Sequence, residues 1–299
     1  MDKLKAMAVF VEIVDRGSLS AAAHAINRSP ASVVRALADL ENYLSVRLLN
    51  RSTRRISLTE EGRDYLLRCR RILADINDAE FLLDARRGAP EGKLSITAPM
   101  MFGRLHLVPL LNRYLREHPG LRVELTLIDR VVDIIDEGFD LAIRIGHLAD
   151  SSLISMPLGL TRHLICASPS LIKTMGVPDT PDELRQWPVV VFNPQSSQWA
   201  FNNGQTLNAH DMNIVISSNQ VDSTLASAAS GLGATRLLHY QVDEALTNGQ
   251  LIRLLPEYEK TSIPVQFIYP HSRLLSHRVR AFLDWAAPQL RDVLNDKPI

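Results

Sequence analysis

The 299-residue chain carries 33 Lys and Arg residues against 33 Asp and Glu residues, so its formal net charge is zero. A hydrophobic fraction of 46% with 22% charged residues is typical of globular proteins and excludes an intrinsically disordered chain. The length is sufficient for two or three domains, each with a core of its own.

The N-terminal stretch, MDKLKAMAVFVEIV, is too short and too interrupted by Glu12 to be a signal peptide. No later apolar run approaches the length of a membrane span. We therefore expect a cytoplasmic protein with no membrane partner.

The two cysteines, Cys69 and Cys166, are too few for a disulfide framework, and nothing near them has zinc-ligand spacing. We expect both to be buried, inert thiols, with a redox sensor as the less favoured alternative. No metal and no cofactor is expected.

The first predicted helix covers residues 2–15 and ends at Gly17, a residue that readily adopts the conformation of a helix C-terminus. Ser18 is a good N-cap for a second helix, which ends near Asn27. Ser29 and Pro30 then supply the cap and the first residue of a third helix. Two short helices separated by three or four residues are the signature of a helix-turn-helix.

The third helix places Val33, Leu37, Leu40 and Leu44 along one stripe, which has the period of a face packed on a core. The opposite face carries short side chains near the N-terminus, which allow close approach to base edges. Between residues 28 and 55 six arginines stand against one Asp and one Glu, a local excess of four positive charges. This excess predicts a polyanion-binding surface, of which the hairpin at 48–59 forms part. A simple packing module of three helices is the alternative.

A long helix is predicted from Thr59, its N-cap, to about Arg86. A heptad seam runs along it, which predicts pairing with the same helix of a second subunit. The seam consists of Tyr65, Cys69, Ile72, Ile76, Ala79 and Leu83. A second apolar stripe, Leu66, Leu73 and Phe81, would pack on the helix's own domain, and packing on that domain alone is the alternative. The run RRGAPEG at 86–92 ends the helix and predicts a hinge.

Beyond residue 92, strands alternate with helices, which predicts parallel or mixed sheets with helices on both faces. The predicted strands are 94–98, 123–128, 140–145, 163–168, 188–192, 213–217, 234–238 and 264–269. The predicted helices are 103–116, 131–137, 169–175, 222–230 and 276–290. Two halves of roughly 100 residues each would leave a ligand cleft between them.

The runs GSLSAAA, SPASVVRALADLE and RLLNRSTRRISLTEEG resemble the DNA-binding half of a LysR-type transcriptional regulator. EGFDLAIRIG, DSSLI, LICASPSLI and ASGLGATRLL resemble that family's effector domain, closest to the branch with SAP after the first strand and DSSLI after the third. The resemblance implies a multidomain protein: a winged helix-turn-helix and a long linker helix, followed by an α/β effector domain of two subdomains with the architecture of periplasmic binding proteins.

The implied domains are a winged helix-turn-helix DNA-binding domain at 1–59, a linker and dimerisation helix at 60–87, a hinge at 88–92 and an effector-binding domain at 93–299. Subdomain I would comprise about 93–162 and 268–299, and subdomain II about 163–267. The implied partners are double-stranded promoter or operator DNA, a small-molecule effector and further copies of the chain in a homotetramer, a dimer of dimers.

In the family the third helix enters the major groove, and the hairpin is a wing on the backbone or minor groove. The residues expected at the DNA are Ser18, Arg28, Ser29, Pro30, Ala31, Ser32, Val34, Arg35, Arg51, Ser52, Thr53, Arg54 and Arg55. Val34 stands where the family commonly has Ser or Thr, so contact with a thymine methyl would replace a hydroxyl contact.

The family's effector pocket maps residue by residue onto Pro99, Met100, Met101, Phe102, His147, Asn193, Trp199, Ser218, Asn219, Asp222, Thr235 and Arg236. We expect an aromatic or amphipathic small acid, its carboxylate held by free amides near Phe102 and Gly103 together with Arg236. Arg236 either lines the cleft or pairs with an acid such as Asp222. For each residue taken singly, simple packing is an equally good reading.

Two other classes of function fit the sequence less well. The chain shows no nucleophile elbow, P-loop or HExxH motif, and its Asp, His and Ser residues fall into no order typical of acyl transfer, so we expect no enzyme. A solute-capture protein would need an export signal, which the N-terminal stretch does not provide.

Overall fold

The computed structural model describes residues 2–51, 56–84, 89–147, 153–193, 198–260, 262–270 and 275–295. Within these residues no helix combines the length and hydropathy that crossing a lipid bilayer requires.

The N-terminal part contains helices α1 (Lys3–Arg16), α2 (Leu19–Ala25) and α3 (Pro30–Leu44), strands β1 (Leu49–Arg51) and β2 (Ile56–Leu58), and the long helix α4 (Glu60–Asp84). The predicted caps are present. The Ser18 hydroxyl accepts the N–H of Ala21 at 3.3 Å, and the Ser29 hydroxyl accepts the N–H of Ser32 at 3.2 Å. Gly17 ends α1 with φ of 65°, the left-handed region that glycine adopts without strain.

The apolar faces of these helices meet in one core. Phe10 and Ile13 of α1 and Leu37 and Leu40 of α3 are at most 1% exposed. Cys69 of α4 lies in the same core. The long helix therefore begins as an integral part of the N-terminal domain and extends beyond it.

The remainder of the chain forms two α/β units. The first contains β3 (Gly92–Ala98), α5 (Met100–Phe102), a π-helical turn (Gly103–Leu107), α6 (Val108–Glu117), β4 (Leu121–Leu127), β5 (Leu141–Ile145) and β6 (Leu153–Thr161). The second contains β7 (His163–Ala167), α7 (Pro169–Met175), β8 (Pro188–Phe192), β9 (Gln198–Ala200), β10 (Thr206–Asn208), β11 (Asn213–Ser218), α8 (Val221–Ala229), β12 (Thr235–Leu238), α9 (His239–Thr247) and β13 (Ile252–Leu254). Strand β14 (Ile263–Pro270) and helix α10 (His277–Asn295) return to the first unit.

The sheet of the first unit has the order β4-β3-β5-β14-β6, with β3 parallel to β4 and β5 and with β14 antiparallel to β5 and β6. In the second unit β7 lies between β12 and β13, both antiparallel to it, and β8 pairs in parallel with β11. A single bridge between Val189 and Ala234 links these two sheets. The chain thus passes between the units twice, at 162 and in the segment before 263.

Two sequence expectations need correction. The predicted helix at 131–137 is a series of turns, because the Asp133 carboxylate accepts the N–H groups of Ile135 and Asp136, both at 2.9 Å, and Gly138 has φ of 73°. The predicted subdomain boundary at 267/268 falls inside β14, all of which pairs in the sheet of the first unit. The second unit therefore ends before residue 263.

Several elements were not predicted, and each has a weak local signal. β6 and the short strands β9, β10 and β13 lack a clear alternation of apolar and polar residues, and helix α9 follows β12 with no intervening loop. The predicted helix at 103–116 begins earlier, at Met100, and contains the π-helical turn.

Replacing Leu37 by alanine tests the N-terminal core. Because Leu37 is 1% exposed, Leu37→Ala is expected to destabilise the domain by about 2–5 kcal/mol. Val34, one turn earlier on the same helix, is 36% exposed, so Val34→Ala should change stability by less than about 0.5 kcal/mol. Hydrogen–deuterium exchange of α1 to α3 in the full chain measures both, and equal effects of the two variants would contradict the core described above.

Candidate functional site

Helix α3 presents a short, exposed face at its N-terminus. Ser29, Pro30, Ala31, Val34 and Arg35 are all exposed, whereas Val33 between them is fully buried. The core thus holds the inner side of the helix and leaves the predicted contact residues accessible. The positive end of the helix dipole lies at the same place, which favours a nearby anion.

Three of the predicted contact residues also have structural roles. The Ser18 and Ser29 hydroxyls serve as helix caps, and the Ser32 hydroxyl donates to the carbonyl oxygen of Ser29 at 2.9 Å. Ser32 is partly buried. The main side-chain candidates for reading an external partner are therefore Val34 and Arg35, with exposed Arg28 preceding the helix.

The base of the β1–β2 hairpin is fixed to its surroundings. The Glu41 carboxylate of α3 accepts the N–H groups of Leu48 at 2.9 Å and Leu49 at 3.2 Å, and the Thr59 hydroxyl donates to the carbonyl oxygen of Arg47 at 2.7 Å. A Cβ at Gly62 would lie 2.0 Å from the carbonyl oxygen of Leu48, so only glycine fits this close approach. In the sequence Glu41 stands out only as a negative charge, and no local pattern indicates this role.

Arg51 is the last residue of β1. Ser52, Thr53, Arg54 and Arg55, predicted to contact DNA, lie outside the described residues.

The predicted seam of α4 divides into two parts. Cys69 is fully buried in the domain's own core, and Tyr65 packs there against Phe10 with ring centroids 6.1 Å apart. Cys69 is therefore not available to a partner helix, which corrects the prediction for that residue, whereas Tyr65 is only partly buried. Burial raises the pKa of the Cys69 thiol to about 11, so the thiol is protonated at neutral pH.

The next two seam residues are more accessible to solvent. Ile72 is 37% exposed, and Ile76 is only partly buried. An unpartnered apolar surface thus begins at Ile72. The side chains of Ala79 and Leu83, the last seam residues, lie outside what the structure describes.

The cleft between the two α/β units is closed by contacts at one end. Phe102 of α5 packs edge-on against Tyr240 of α9, with ring centroids 5.4 Å apart, and His106 lies 5.7 Å from the same ring. Nearby, Arg104 forms an ion pair with Asp222 of α8 at 2.7 Å. Both partners of this pair are more than half exposed, so it lies at the surface of the cleft.

Seven of the predicted effector residues have accessible side chains. They are Pro99, Met100, His147, Asn193, Ser218, Asn219 and Asp222. The N–H of Asn193 donates to the carbonyl oxygen of Ser218 at 2.8 Å, which joins the ends of β8 and β11. Main-chain pairing thus holds two of these seven residues together at one edge of the second unit.

Four predicted effector residues are instead buried. Met101, Phe102, Trp199 and Thr235 are between 0% and 6% exposed, so none of them lines an open cleft in this structure. The reason is the geometry of their elements. Met101 and Phe102 belong to the core that both units share, and Trp199 belongs to the core of the second unit.

The Gly103 amide of the predicted carboxylate site is not free, and neither is the amide of nearby Met100. The N–H of Gly103 donates to the carbonyl oxygen of Pro99 at 2.8 Å, and the N–H of Met100 donates to the Asp129 carboxylate at 3.0 Å. Both amides are therefore already used within the protein. The guanidinium that does lie at this end of the cleft belongs to Arg104, which the sequence analysis missed although it stands one helical turn after Met100.

Arg236 does not pair with Asp222, which is bound to Arg104. Its guanidinium donates to the carbonyl oxygen of Gln198 at 3.1 Å, and it lines a small pocket with residues of the second unit alone. Among the described residues no three His, Cys, Asp or Glu side chains are grouped as metal ligands would be.

Two family models match the chain. Residues 4–63 match the model described as "Bacterial regulatory helix-turn-helix protein, lysR family", and residues 87–291 match the model described as "LysR substrate binding domain". The HTH-type transcriptional regulator YhjC of Escherichia coli K12 is 34% identical over 309 residues, which cover 99% of this chain and 100% of that protein.

Solved structures show the same architecture. CrgA, a LysR-type transcriptional regulator from Neisseria meningitidis, is 30% identical with a TM-score of 0.61, covering 96% of this chain and 98% of that chain. Full-length LysG from Corynebacterium glutamicum has a TM-score of 0.64 at 21% identity. The match covers 97% of this chain and 98% of that chain, and it shows the shared fold alone. The chain belongs to the LysR family of transcriptional regulators, with an N-terminal DNA-binding helix-turn-helix and a C-terminal effector-binding domain, and it is not an enzyme.

Proposed function

We propose that this regulator binds promoter DNA in the cytoplasm through the N-terminal face of α3 and the β1–β2 wing, and that a small acid bound between the two α/β units changes its DNA affinity. The observation that carries the proposal is the exposed face of α3. It presents a helix N-terminus, Val34 and Arg35 on the outer side of a helix whose inner side is fully buried.

The chemistry of this face suits duplex DNA. An arginine can donate two hydrogen bonds to a guanine edge, and the Val34 methyl groups match a thymine methyl. The capped N-terminus of α3 favours a phosphate. The local excess of arginine would displace counterions from the DNA, and this release favours binding. The thirteen residues named from the sequence are retained as the proposed DNA contacts, with Arg35 and Val34 reading bases and the hydroxyl residues positioning the backbone.

The proposed assembly is a homodimer through α4 that pairs further into a tetramer. The exposed side chain of Ile72 and the partly exposed side chain of Ile76 begin the unpartnered surface, beyond the part of α4 that its own domain buries. A twofold dimer would present two copies of α3 to a roughly palindromic site. Two weak half-site contacts would then act together as one stronger interaction.

The proposed effector is an aromatic or amphipathic small acid. Arg104 is the cationic side chain at the cleft surface, and the Asp222 carboxylate opposite it occupies the position that an acid would take. Met100 supplies an adaptable apolar contact one turn away. An incoming carboxylate would exchange with Asp222, release one contact between the units and so favour a different arrangement of the two.

LysG, which shares this fold, was solved with its bound effector Arg. This supports a small-molecule effector for the fold without identifying the one that this chain takes.

DNA binding is tested by gel shift on the fragment upstream of the chain's own gene. We expect salt-sensitive binding, which Arg35→Ala weakens by about 1–3 kcal/mol because a base contact is lost. Arg122→Ala removes the same charge from an exposed position on β4 of the effector domain and should leave DNA binding unchanged. Absence of salt-sensitive binding to any promoter fragment would reject the proposal, and equal effects of the two variants would remove Arg35 from the reading face.

Assembly is tested by sedimentation. Ile76→Asp should shift the protein toward smaller species, because a carboxylate in an apolar helix pair is unpaired and desolvated. Arg63→Asp introduces a carboxylate at an exposed position on the opposite side of the same helix and should leave the mass distribution unchanged. If Ile76→Asp sediments as the wild type does, α4 is not the dimer contact.

The effector cleft is tested by thermal shift with a library of small acids and aromatic compounds. A ligand at 100 times its Kd adds about 2.7 kcal/mol to stability, which is readily measured. For an acid found in this way, Arg104→Gln should weaken binding, whereas Asp222→Asn should strengthen it because the competing carboxylate is gone.

Lys93→Gln breaks an equally exposed ion pair of the same unit, with Glu124, and is the matched control. If Arg104→Gln and Asp222→Asn change the affinity for the acid in the same direction, the ion pair is only structural.

A further inference from the structure

A second group of cationic side chains, Arg236 of β12 and Lys260, lies in the second α/β unit, apart from the cleft. These two residues line a small pocket together with His163 of β7, Tyr258 and Glu259. All the lining residues belong to the second unit, and Pro99–Phe102, Arg104 and Asp222 are not among them. The pocket is therefore distinct from the proposed effector cleft.

We propose that this pocket is an anion site, in which Arg236 and Lys260 bind a small oxyanion head group, either a carboxylate or an inorganic phosphate or sulfate. The site is independent of the cleft at Arg104 and goes beyond the proposed function.

Strand pairing places the two central side chains together. Arg236 pairs with Ile165 across the antiparallel β12–β7 ladder, and Leu238 pairs with His163. Because side chains alternate between the faces of a strand, His163, Ile165 and Arg236 share one face of the sheet. The segment around Tyr258 and Lys260 lines the opposite side of the pocket.

The carboxylate that lines the pocket is already neutralised. Both oxygens of Glu259 accept from Arg253, the second at 2.6 Å, and Arg162 lies 3.2 Å from the same carboxylate. The Glu259 side chain is only 7% exposed, so these pairs are shielded from solvent. The pocket and its paired neighbours thus contain four cations, Arg162, Arg236, Arg253 and Lys260, against one carboxylate, an excess of three positive charges.

Arg236 is the cation with spare donor capacity. A guanidinium has five N–H donors, and in the described part of the chain the Arg236 side chain donates to the carbonyl oxygen of Gln198 and forms no ion pair. Burial lowers the pKa of Arg236 to about 10, so the group is charged at neutral pH although it is largely desolvated. A desolvated cation without a carboxylate partner attracts an anion strongly.

The other groups suit the same ligand. Burial lowers the pKa of His163 to about 3, so the imidazole is neutral and can donate an N–H without adding charge. Lys260 is exposed and stands at the edge of the pocket, where it can meet an anion as it enters. The pocket itself is small, so the head group would lie at its mouth beside Arg236 and Lys260, and the rest of an organic acid would extend into solvent.

The test is thermal shift of the full-length protein with sodium sulfate, phosphate or acetate against sodium chloride at equal ionic strength. We expect a saturable rise in Tm at low millimolar concentration, which separates site binding from the general stabilising effect of sulfate and phosphate at high concentration. Arg236→Gln should weaken binding by about tenfold or more, and Lys260→Gln by less, since a charge-assisted hydrogen bond contributes about 1.5–3 kcal/mol.

A control separates this site from other effects. Lys173→Gln removes an exposed charge from α7 of the same unit and should leave the response unchanged. A response to sulfate and phosphate identifies an inorganic oxyanion, and a response to acetate alone identifies the carboxylate of an organic acid.

The proposal is overturned if no anion raises Tm above its value in sodium chloride. It is also overturned if Arg236→Gln shows the same rise in Tm as the wild type. If Arg236→Gln does not fold, a full response in Lys260→Gln, at an exposed position, overturns it equally.

Discussion

The contact of Phe102 with Tyr240 is the constraint on which the effector-binding half depends. The two α/β units have separate sheets, and the chain passes between them only twice. The Phe102 ring is fully buried against Tyr240, in a core to which both units contribute. The exposed pair of Arg104 and Asp222 lies next to this contact and contributes little stability itself, so it can be exchanged without separating the units.

The N-terminal half follows the same division between buried support and exposed chemistry. Val33, Leu37 and Leu40 hold α3 on the core, and Glu41 at its far end fixes the base of the wing. The orientation of the exposed face of α3 is therefore set by buried residues and by the Glu41 carboxylate.

Local signals in the sequence predicted the N-terminal half well, because caps such as Ser18 and Ser29 act within one helical turn. The resemblance predicted the order of domains. Prediction from the sequence failed where tertiary packing decides the outcome. A heptad pattern cannot tell which partner covers Cys69, and a strand pattern cannot show that Arg236 faces a pocket of the second unit while Arg104 faces the cleft.

The π-helical turn at 103–107 lies directly before Pro109, which has no N–H and cannot donate the hydrogen bond that would continue a regular α-helix. The wider turn contains one more residue than an α-helical turn, so every side chain before it is rotated by about 100° relative to those after it. An alignment with a relative whose helix is regular here would therefore match the core residues of α6 and yet assign the position of Arg104 to the wrong residue.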